Sequence, residues 1–594
     1  MTDKRTVAKA LDEIFRYMEI GDQNRFKAVA YRNAARQVEN IEGDLGEFIS
    51  SGALTRTPGI GKSIGPLIVE IAETGRSRYL DELRLQYPPG IFDLVRVPAL
   101  GLKKIGVLHE TLGISSLDEL ETACREDRLT SLPGFGAKTQ QKILDGIDML
   151  RKDIRKFLLP IGFELAAELV EQLRRIADVG RVEMAGSVRR RLEVIRNVNI
   201  VLETTKKAAV TREIEQIPAL ANVSEGAPDI IRGELRNHMP VEIILSTPAS
   251  FASNLLYATG SEVFLTSLAA HATSVGFELS AEGLRQKRKI AARTEEEIFR
   301  KLDLAVIEPE LREGDLALAR HFAGTLLEEG SLRGTFHVHS TWSDGKATLY
   351  EMLDAARDRE FSYVGMSDHS KTASYAGGLT EERVREQQAE IDKLQKTFAP
   401  MRIFKGTEAD ILTDGSMDYD NETLATFDFV IASIHSKFKM PQDEMTGRIV
   451  RAIRNPYVTF LGHLTGRLLL SRPGYTVDYE AIFAAAADEG VMIEINGNPH
   501  RLELDWRLMQ RAREHGVRFS IHPDAHSTDS LDNVISGTWA ARKGGLRPED
   551  VFNTLPLEDV ERYFAARKSR AKRLTSGALT PPLPAGEGVA SSDG

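Results

Sequence analysis

The sequence predicts a multidomain α/β protein with a helical amino-terminal third, a mixed central domain and a carboxy-terminal β/α barrel that carries metal ligands. Three patterns lead there. Amphipathic helical stretches separated by Gly-rich turns fill the first third, and alternating strands and helices follow from Phe157. From residue 337 onward, histidines and carboxylates recur at the ends of apolar strand-like runs. With 594 residues and 42% hydrophobic content the chain can bury several cores, and its length suggests three or four domains. The polar start, Met1 to Val7, and the lack of an apolar stretch of spanning length argue for a cytoplasmic address without membrane contact. A single cysteine, Cys124, excludes an intrachain disulfide framework and a thiolate zinc finger, which leaves His, Asp and Glu to hold any metal. A net charge of -10 does not exclude nucleic acid, because a whole-chain average says little about a local groove.

In the first third, helices are predicted over Val7 to Glu19 and Ser116 to Cys124. The turn at Thr57 to Lys62, with Gly59, Gly61 and Lys62, recurs at Leu132 to Lys138, with Gly134, Gly136 and Lys138. Pro98 to Lys104 is a weaker third copy. These resemble helix-hairpin-helix turns, in which two glycines around an apolar residue aim backbone N–H groups at a phosphate without reading bases. One copy alone is as well explained by a plain helix connection; repetition favours DNA. The mixed domain offers strands at Arg181 to Ala185, Asn197 to Glu203 and Val241 to Leu245. A charged stretch with Gly330 and Gly334 reads as a connector that permits motion, and the segment after Leu574 reads as a disordered tail. The basic run Arg567 to Arg573 suits a solvated helix face better than a nucleic-acid contact.

In the last domain, strands are expected at Thr335 to His339, Tyr363 to Ser367, Arg402 to Glu408, Phe427 to His435, Tyr457 to His463, Val491 to Asn496 and Arg518 to Asp524, mostly alternating with helices. Ligand-type residues, Asp368 among them, fall at the strands' carboxy ends, where barrel enzymes place their sites. One histidine would mean little; six at matching strand ends point to a site. The strings His337-Val-His339-Ser-Thr-Trp-Ser-Asp344, Ser367-Asp368-His369-Ser, Gly406-Thr-Glu408, Ser433-Ile-His435-Ser, Gly462-His463-Leu-Thr-Gly-Arg467 and Pro523-Asp524-Ala-His526 resemble a PHP (polymerase and histidinol phosphatase) domain. That resemblance implies a distorted (β/α)7 barrel holding up to three divalent metals, manganese or zinc, on His337, His339, Asp344, His369, Glu408, His435, His463, Asp524 and His526. It also implies that these nine form the catalytic site for phosphate-ester hydrolysis. Arg467 and Arg501 fit a phosphate grip or a salt bridge equally well.

Upstream, Ala185-Gly186-Ser187-Val188-Arg189-Arg190 resembles the palm signature of family X DNA polymerases, and Tyr257-Ala-Thr259-Gly260-Ser261 resembles their nucleotide-binding turn. With the hairpins and the barrel, nearly the whole chain resembles bacterial family X polymerases, and Phe26 to Arg32 resembles their DNA-end-binding domain. Gly186, Ser187 and Arg190 are then expected to face phosphate. The implied division is a DNA-end-binding domain over 1–85, a fingers-like hairpin region over 86–156, palm and thumb over 157–313, a linker over 314–332, the PHP domain over 333–573 and a tail over 574–594.

The departures from the family matter as much. Its members carry Asp-x-Asp and a third Asp where this chain has Asn197, Asn199 and Glu242, and Glu262 and Ala258 stand at usual lysine and aromatic positions. A carboxamide supplies one dipolar oxygen where magnesium needs charged ligands, so magnesium is poorly held and little polymerisation is expected. Leu67 stands where animal members with lyase activity carry a Schiff-base lysine, so that lyase is not expected. The expected function is 3'-5' exonuclease, abasic-site endonuclease or 3'-phosphodiesterase action in base excision repair by a nucleoid-associated monomer on gapped, nicked or abasic duplex DNA. Two alternatives stand beside it: an active gap-filling polymerase with exonuclease, and a non-catalytic scaffold or small-molecule phosphatase.

Overall fold

The computed structural model describes residues 4–575 except 22–24, 40, 42–44, 53, 58–59, 62, 88, 98–99, 154–155 and 228. Gly59, Lys62 and the tail from 576 therefore lie outside the described residues. The chain forms two compact units, 1–155 and 156–594.

The first unit is helical, built on α1 (Lys4–Ile20), α2 (Arg25–Glu39), α3 (Gly65–Thr74), α4 (Leu102–Leu112), α5 (Leu117–Arg125) and α6 (Ala137–Asp153). Val7, Leu11, Ile14 and Met18 recur at helical spacing, and α1 buries all four. A capping box starts α5: Glu119 N–H donates to Ser116 Oγ (3.3 Å), and Ser116 N–H to Glu119 Oε2 (3.2 Å). The three Gly-rich turns share one backbone hydrogen bond. Ile60 N–H donates to Thr57 O (3.1 Å), Leu100 N–H to Val97 O (3.1 Å) and Phe135 N–H to Leu132 O (3.1 Å). The three apolar residues are buried, and Gly61, Gly101 and Gly136 have open space where a Cβ would point. The weak third copy thus makes the same hydrogen bond as the other two. Leu67 is buried within α3. Burial also pushes the Cys124 thiol up to about 11, so native protein should resist iodoacetamide at pH 8 and react fully once unfolded, as intact mass would record.

In the second unit, α7 (Leu159–Arg174) covers a sheet of β1 (Val179–Ala185), β2 (Val198–Thr204), β3 (Leu220–Glu225), β4 (Ile230–Leu235) and β5 (Pro240–Ser246), ordered β1-β2-β5-β4-β3. Strand β2 runs parallel to β5; the other pairs are antiparallel. Next come α8 (Phe251–Thr259) and α9 (Glu262–Ser274). Fully buried Arg312 and half-buried Arg189 each reach Glu295 at 2.6 Å, a desolvated triad that fixes this subdomain against the sheet.

The connector carries α10 (Leu316–Phe322) and is packed rather than free: Leu327 N–H donates to Leu546 O (2.9 Å), and Arg542 donates to Leu327 O (2.6 Å). The barrel strands are β6 (Gly334–Val338), β7 (Tyr363–Met366), β8 (Arg402–Asp410), β9 (Phe429–Ser433), β10 (Phe460–Leu461), β11 (Met492–Asn496) and β12 (Phe519–His522). They pair in sequence order, all parallel, and bonds from His339 N–H to Ala525 O (2.8 Å) and Ala525 N–H to His337 O (3.1 Å) join the first strand's end to the last. Helices Leu349–Asp358, Glu381–Phe398, Gln442–Ile453, Tyr479–Glu489 and Trp506–Glu514 lie between strands. Phe336, Phe404, Phe429, Phe460 and Phe564 plug the interior. Gly406 is required by that plug, since a Cβ there would sit 2.1 Å from the Phe429 ring.

Two further helices complete the barrel: α11 (Asn533–Lys543) and α12 (Leu557–Thr575). The basic run turns inward in part. Arg567 donates to Gly490 O (2.9 Å), and Arg570 donates to Glu489 O (3.0 Å), binding the last carbonyls of a neighbouring helix. Helix α11 fastens the barrel to the β1–β5 domain. Trp539 enters that domain's core, Arg191 lies between the Phe163 and Trp539 rings (4.3 and 4.1 Å), and buried Lys543 donates to Arg190 O (2.8 Å) and Glu313 Oε1 (2.9 Å). Burial pushes that amine down to about 8, with Glu313 opposing the shift. Lys543→Met should lower stability by about 2 kcal/mol in urea titrations of the full chain, because it removes charge-assisted hydrogen bonds to Arg190 O and Glu313 and leaves half-buried Glu313 with Arg190. Among the described residues no helix is long and apolar enough to cross a membrane.

Candidate metal centre

Nine side chains converge at the barrel's carboxy-terminal mouth because each sits at or just beyond a strand end. Glu408 is their hub. Its Oε2 lies 3.3 Å from His337 Nε2, 3.6 Å from His339 Nε2 and 3.0 Å from His369 Nδ1; its Oε1 lies 3.3 Å from His435 Nε2 and 2.8 Å from His463 Nε2. Asp524 Oδ1 is 3.6 Å from both His337 and His339. Asp344 Oδ1 is 3.6 Å from His369 Nε2 and 3.4 Å from His526 Nε2. The ligand atoms fall into overlapping groups, among them His339-Asp344-His369-His526, His337-Glu408-His463, His337-His339-Asp524 and His369-Glu408-His435.

This donor set fits divalent cations. His337 Nε2, both ring nitrogens of His339, His369 Nδ1 and His463 Nδ1 are buried without a hydrogen-bond partner. Burial opposes ionisation of Glu408 and Asp524, yet the surrounding histidines hold both carboxyls well below their ordinary range. Burial, with His526 and His369 alongside, pushes His339 down to about 3, so it stays neutral. Ionised carboxylate and neutral imidazole are the forms that bind metal. His337 differs: burial disfavours its charge, but Glu494, Glu408 and Asp524 raise it well above the usual value, so proton and cation compete there. His337, His463 and Asp524 also hold positive φ (62°, 21° and 50°), a strained backbone that re-aims each side chain at the strand end.

Sequence reasoning missed the residues that orient these ligands. Glu494 binds His337 Nδ1 and accepts from the His463 and Asn496 side of the site (Asn496 Nδ2, 3.2 Å) and from His522 Nδ1 (3.1 Å), while Asp410 binds His435 Nδ1. Both leave Nε2 facing Glu408, which fixes the tautomer. A signal existed: Glu494 interrupts an apolar strand, and Asp410 shares a strand face with Glu408. Glu494→Gln should weaken manganese binding to metal-free protein about 10- to 100-fold by calorimetry.

Other expected residues lie elsewhere. Asp368 faces away from the hub and accepts from Ser340 N (2.8 Å), Ser343 Oγ (2.6 Å) and Gln387 Nε2 (2.6 Å), which shapes the loop before Asp344. Arg467 is bound to Arg501 O (2.9 Å), Asp505 Oδ2 (2.6 Å) and Leu502 O, a structural bridge. Arg501 sits at the centre, with Nε 3.3 Å from Asp524 Oδ2 and a buried Nη1 lacking a hydrogen-bond partner.

In the β1–β5 domain a cleft of about 630 Å³ is lined by Gly186, Ser187, Arg190, Asn197, Asn199 and Glu262, among others. Gly186 has φ +63°, and a Cβ there would press to 2.8 Å from Asn199 Nδ2. Asn197 Nδ2 donates to Asn199 Oδ1 (2.8 Å). Glu242 pairs in register with Asn199 and binds Arg232 Nε (2.8 Å). Arg190 holds Glu313 (2.8 Å) and Thr259 O. Among the described residues, no three metal-ligating side chains gather in this cleft. In the first unit, Gly61, Gly134, Gly136 and Lys138 lie in the hairpin turns or at the helix starts they lead into.

Family models match in the same order as these parts. A helix-hairpin-helix domain matches residues 2–77, a SAM-like helix-hairpin-helix tandem 91–148, a DNA polymerase beta thumb 254–313 and a PHP domain 335–498. The chain is 27% identical over 246 residues to a probable phosphatase of Thermoanaerobacter sp. (strain X514), covering 39% of this chain and 95% of that protein. A probable phosphatase of Acetivibrio thermocellus is 27% identical over 250 residues, 40% of this chain and 97% of its own length. The DNA polymerase/3'-5' exonuclease PolX of Bacillus subtilis (strain 168) is 33% identical over 567 residues, 94% of this chain and 99% of that protein. The polymerase-type and hairpin domains imply DNA binding, and the PHP domain implies divalent metals. An alignment of that extent, with hairpin, thumb and PHP domains all present, makes this chain a member of the PolX family.

Proposed function

We propose that this PolX protein acts chiefly as a metal-dependent 3'-5' exonuclease, and as an abasic-site endonuclease or 3'-phosphodiesterase, through its barrel. Its polymerase-type half serves as a clamp on gapped, nicked or abasic duplex, with little nucleotide addition, in a cytoplasmic, nucleoid-bound monomer. One contrast carries the reading. The barrel gathers nine ligand-type residues with Glu408 at their hub, whereas of the polymerase-site trio Asn197 donates to Asn199 and Glu242 is already held by Arg232. That trio does not fit a pair of magnesium ions, which need several charged oxygens.

Up to three divalent cations, manganese or zinc, suit the His and carboxylate donors of the barrel, where they supply Lewis acidity towards phosphate and a lowered pKa for water. The chain's own groups do the rest. Arg501, with Nε 3.3 Å from Asp524 Oδ2 and Nη1 3.6 Å from Glu503 Oε1, is the guanidinium beside the cluster that would donate to a non-bridging oxygen. Asp344 and His526, with side chains 36% and 30% exposed, are the outermost ligands and face an arriving DNA end. Glu494 and Asp410 hold His337 and His435 in place throughout.

Manganese-supported cleavage of a 3'-labelled gapped duplex, compared with a sugar monophosphate and with His337→Ala as control, tests the proposal. Preference for the small ester would favour a phosphatase, a reading that the names of the barrel-sized relatives support. A gap-filling polymerase with exonuclease remains the second reading, since the Bacillus subtilis relative's name includes DNA polymerase beside 3'-5' exonuclease.

A further inference from the structure

The mouth of the metal centre presents one large aromatic ring to solvent. Tyr375 lies in the turn Ser374–Ala376 that follows β7, is 72% exposed, and has its ring centroid 6.4 Å from the rings of both His369 and His435. Its hydroxyl makes no hydrogen bond within the described residues. The exposure does not come from a loose loop. Ala373 and Ala376 on either side are buried, Gly378 N–H donates to Ala373 O (3.1 Å), Leu379 N–H to His369 O (2.8 Å), and Arg383 Nη1 to Gly377 O (2.9 Å). Glycine at 377 adopts φ +67°, which lets the chain turn sharply back towards the site.

Scattered exposed apolar residues need no explanation, but this ring stands on a hydrogen-bonded turn beside the ligand cluster. Hydrolysis of a bare phosphate ester has no use for it. A DNA end does, because the nucleoside attached to a phosphodiester at the cluster brings a flat apolar base to the rim. Aromatic side chains hold bases by their faces whatever the sequence.

We infer that Tyr375 is the stacking platform for the 3'-terminal nucleobase and makes this centre select a nucleic-acid end over a small phosphate ester. The inference rests on the phosphodiesterase reading above and adds what recognises the substrate. Stacking of one base corresponds to a KM for 3'-labelled gapped DNA that rises about tenfold or more in Tyr375→Ala. In the same full-length variant, kcat/KM for a sugar monophosphate should stay within about twofold of wild type, because that ester carries no aromatic ring to stack on the platform. Tyr375→Phe keeps the ring and should match wild type on both substrates.

Three results overturn it: unchanged KM for DNA in Tyr375→Ala; an equal loss on both substrates, which means damage to the centre; or a loss in Tyr375→Phe equal to that in Tyr375→Ala, which assigns the effect to the hydroxyl. Wild-type protein that hydrolyses the small ester but leaves every DNA end intact sinks the phosphodiesterase reading itself, and the platform with it.

Discussion

Glu408→Gln is expected to lower cleavage of 3'-labelled DNA by about 10³-fold or more, together with metal content after dialysis. No other side chain touches so much of the centre: its two oxygens lie within 3.6 Å of His337, His339, His369, His435 and His463. The amide keeps the shape and removes the charge that offsets clustered cations. It also places an N–H where imidazole lone pairs and cations converge, so repulsion adds to the lost attraction. Elemental analysis and single-turnover cleavage check this, with gapped-DNA affinity as the control for the remaining domains. A variant that keeps full metal content and normal turnover would remove Glu408 from the centre and leave the His339-Asp344-His369-His526 group to act alone.

Primer extension on a one-nucleotide gap should be barely detectable for the wild type, and should rise by about 10⁴-fold in a variant carrying Asn197→Asp, Asn199→Asp and Glu242→Asp. Losing one transition-state electrostatic contact commonly costs roughly 2.7 to 4 kcal/mol, and two carboxylate ligands for magnesium are restored. A second readout is independent of turnover. Two adjacent carboxylates replace the Asn197–Asn199 hydrogen bond, so the variant should melt below wild type in chelator and recover when magnesium or manganese is added. Robust extension by the wild type that disappears on substituting Glu242 would contradict the clamp assignment and favour the gap-filling polymerase.

Particular residues show what the sequence disclosed. The barrel strands were legible because parallel strands buried on both faces read as short apolar runs, and their ends announced themselves by His or Asp. Boundaries blurred where geometry changes within a run: Tyr457 to His463 shrinks to Phe460–Leu461, and the φ of 21° at His463 turns the chain out of the ladder. The ligand-type residues were legible because their chemistry is rare in apolar surroundings. Their supports were not, since the Glu494 and Asp410 contacts depend on which strands become neighbours. Arginine fates were equally hidden: Arg467 and Arg501 share a composition-level reading, yet one is absorbed by loop carbonyls and the other faces Asp524. The connector's glycines suggested freedom, but Leu327 and Arg542 tie it to the barrel.

The bond between barrel and palm has its own consequence. Trp539 and Lys543 seat the barrel against Arg190 and Arg191, whose neighbours line the cleft beside it. The cleft and the cluster of ligand-type residues belong to one compact unit, tied together by these contacts. If the barrel cleaves DNA as proposed, a strand terminus that visits both must travel, by unpairing, sliding, or dissociating and landing again. How long a frayed single strand must be to bridge that gap becomes a property of the substrate, readable from cleavage rates on ends of increasing overhang.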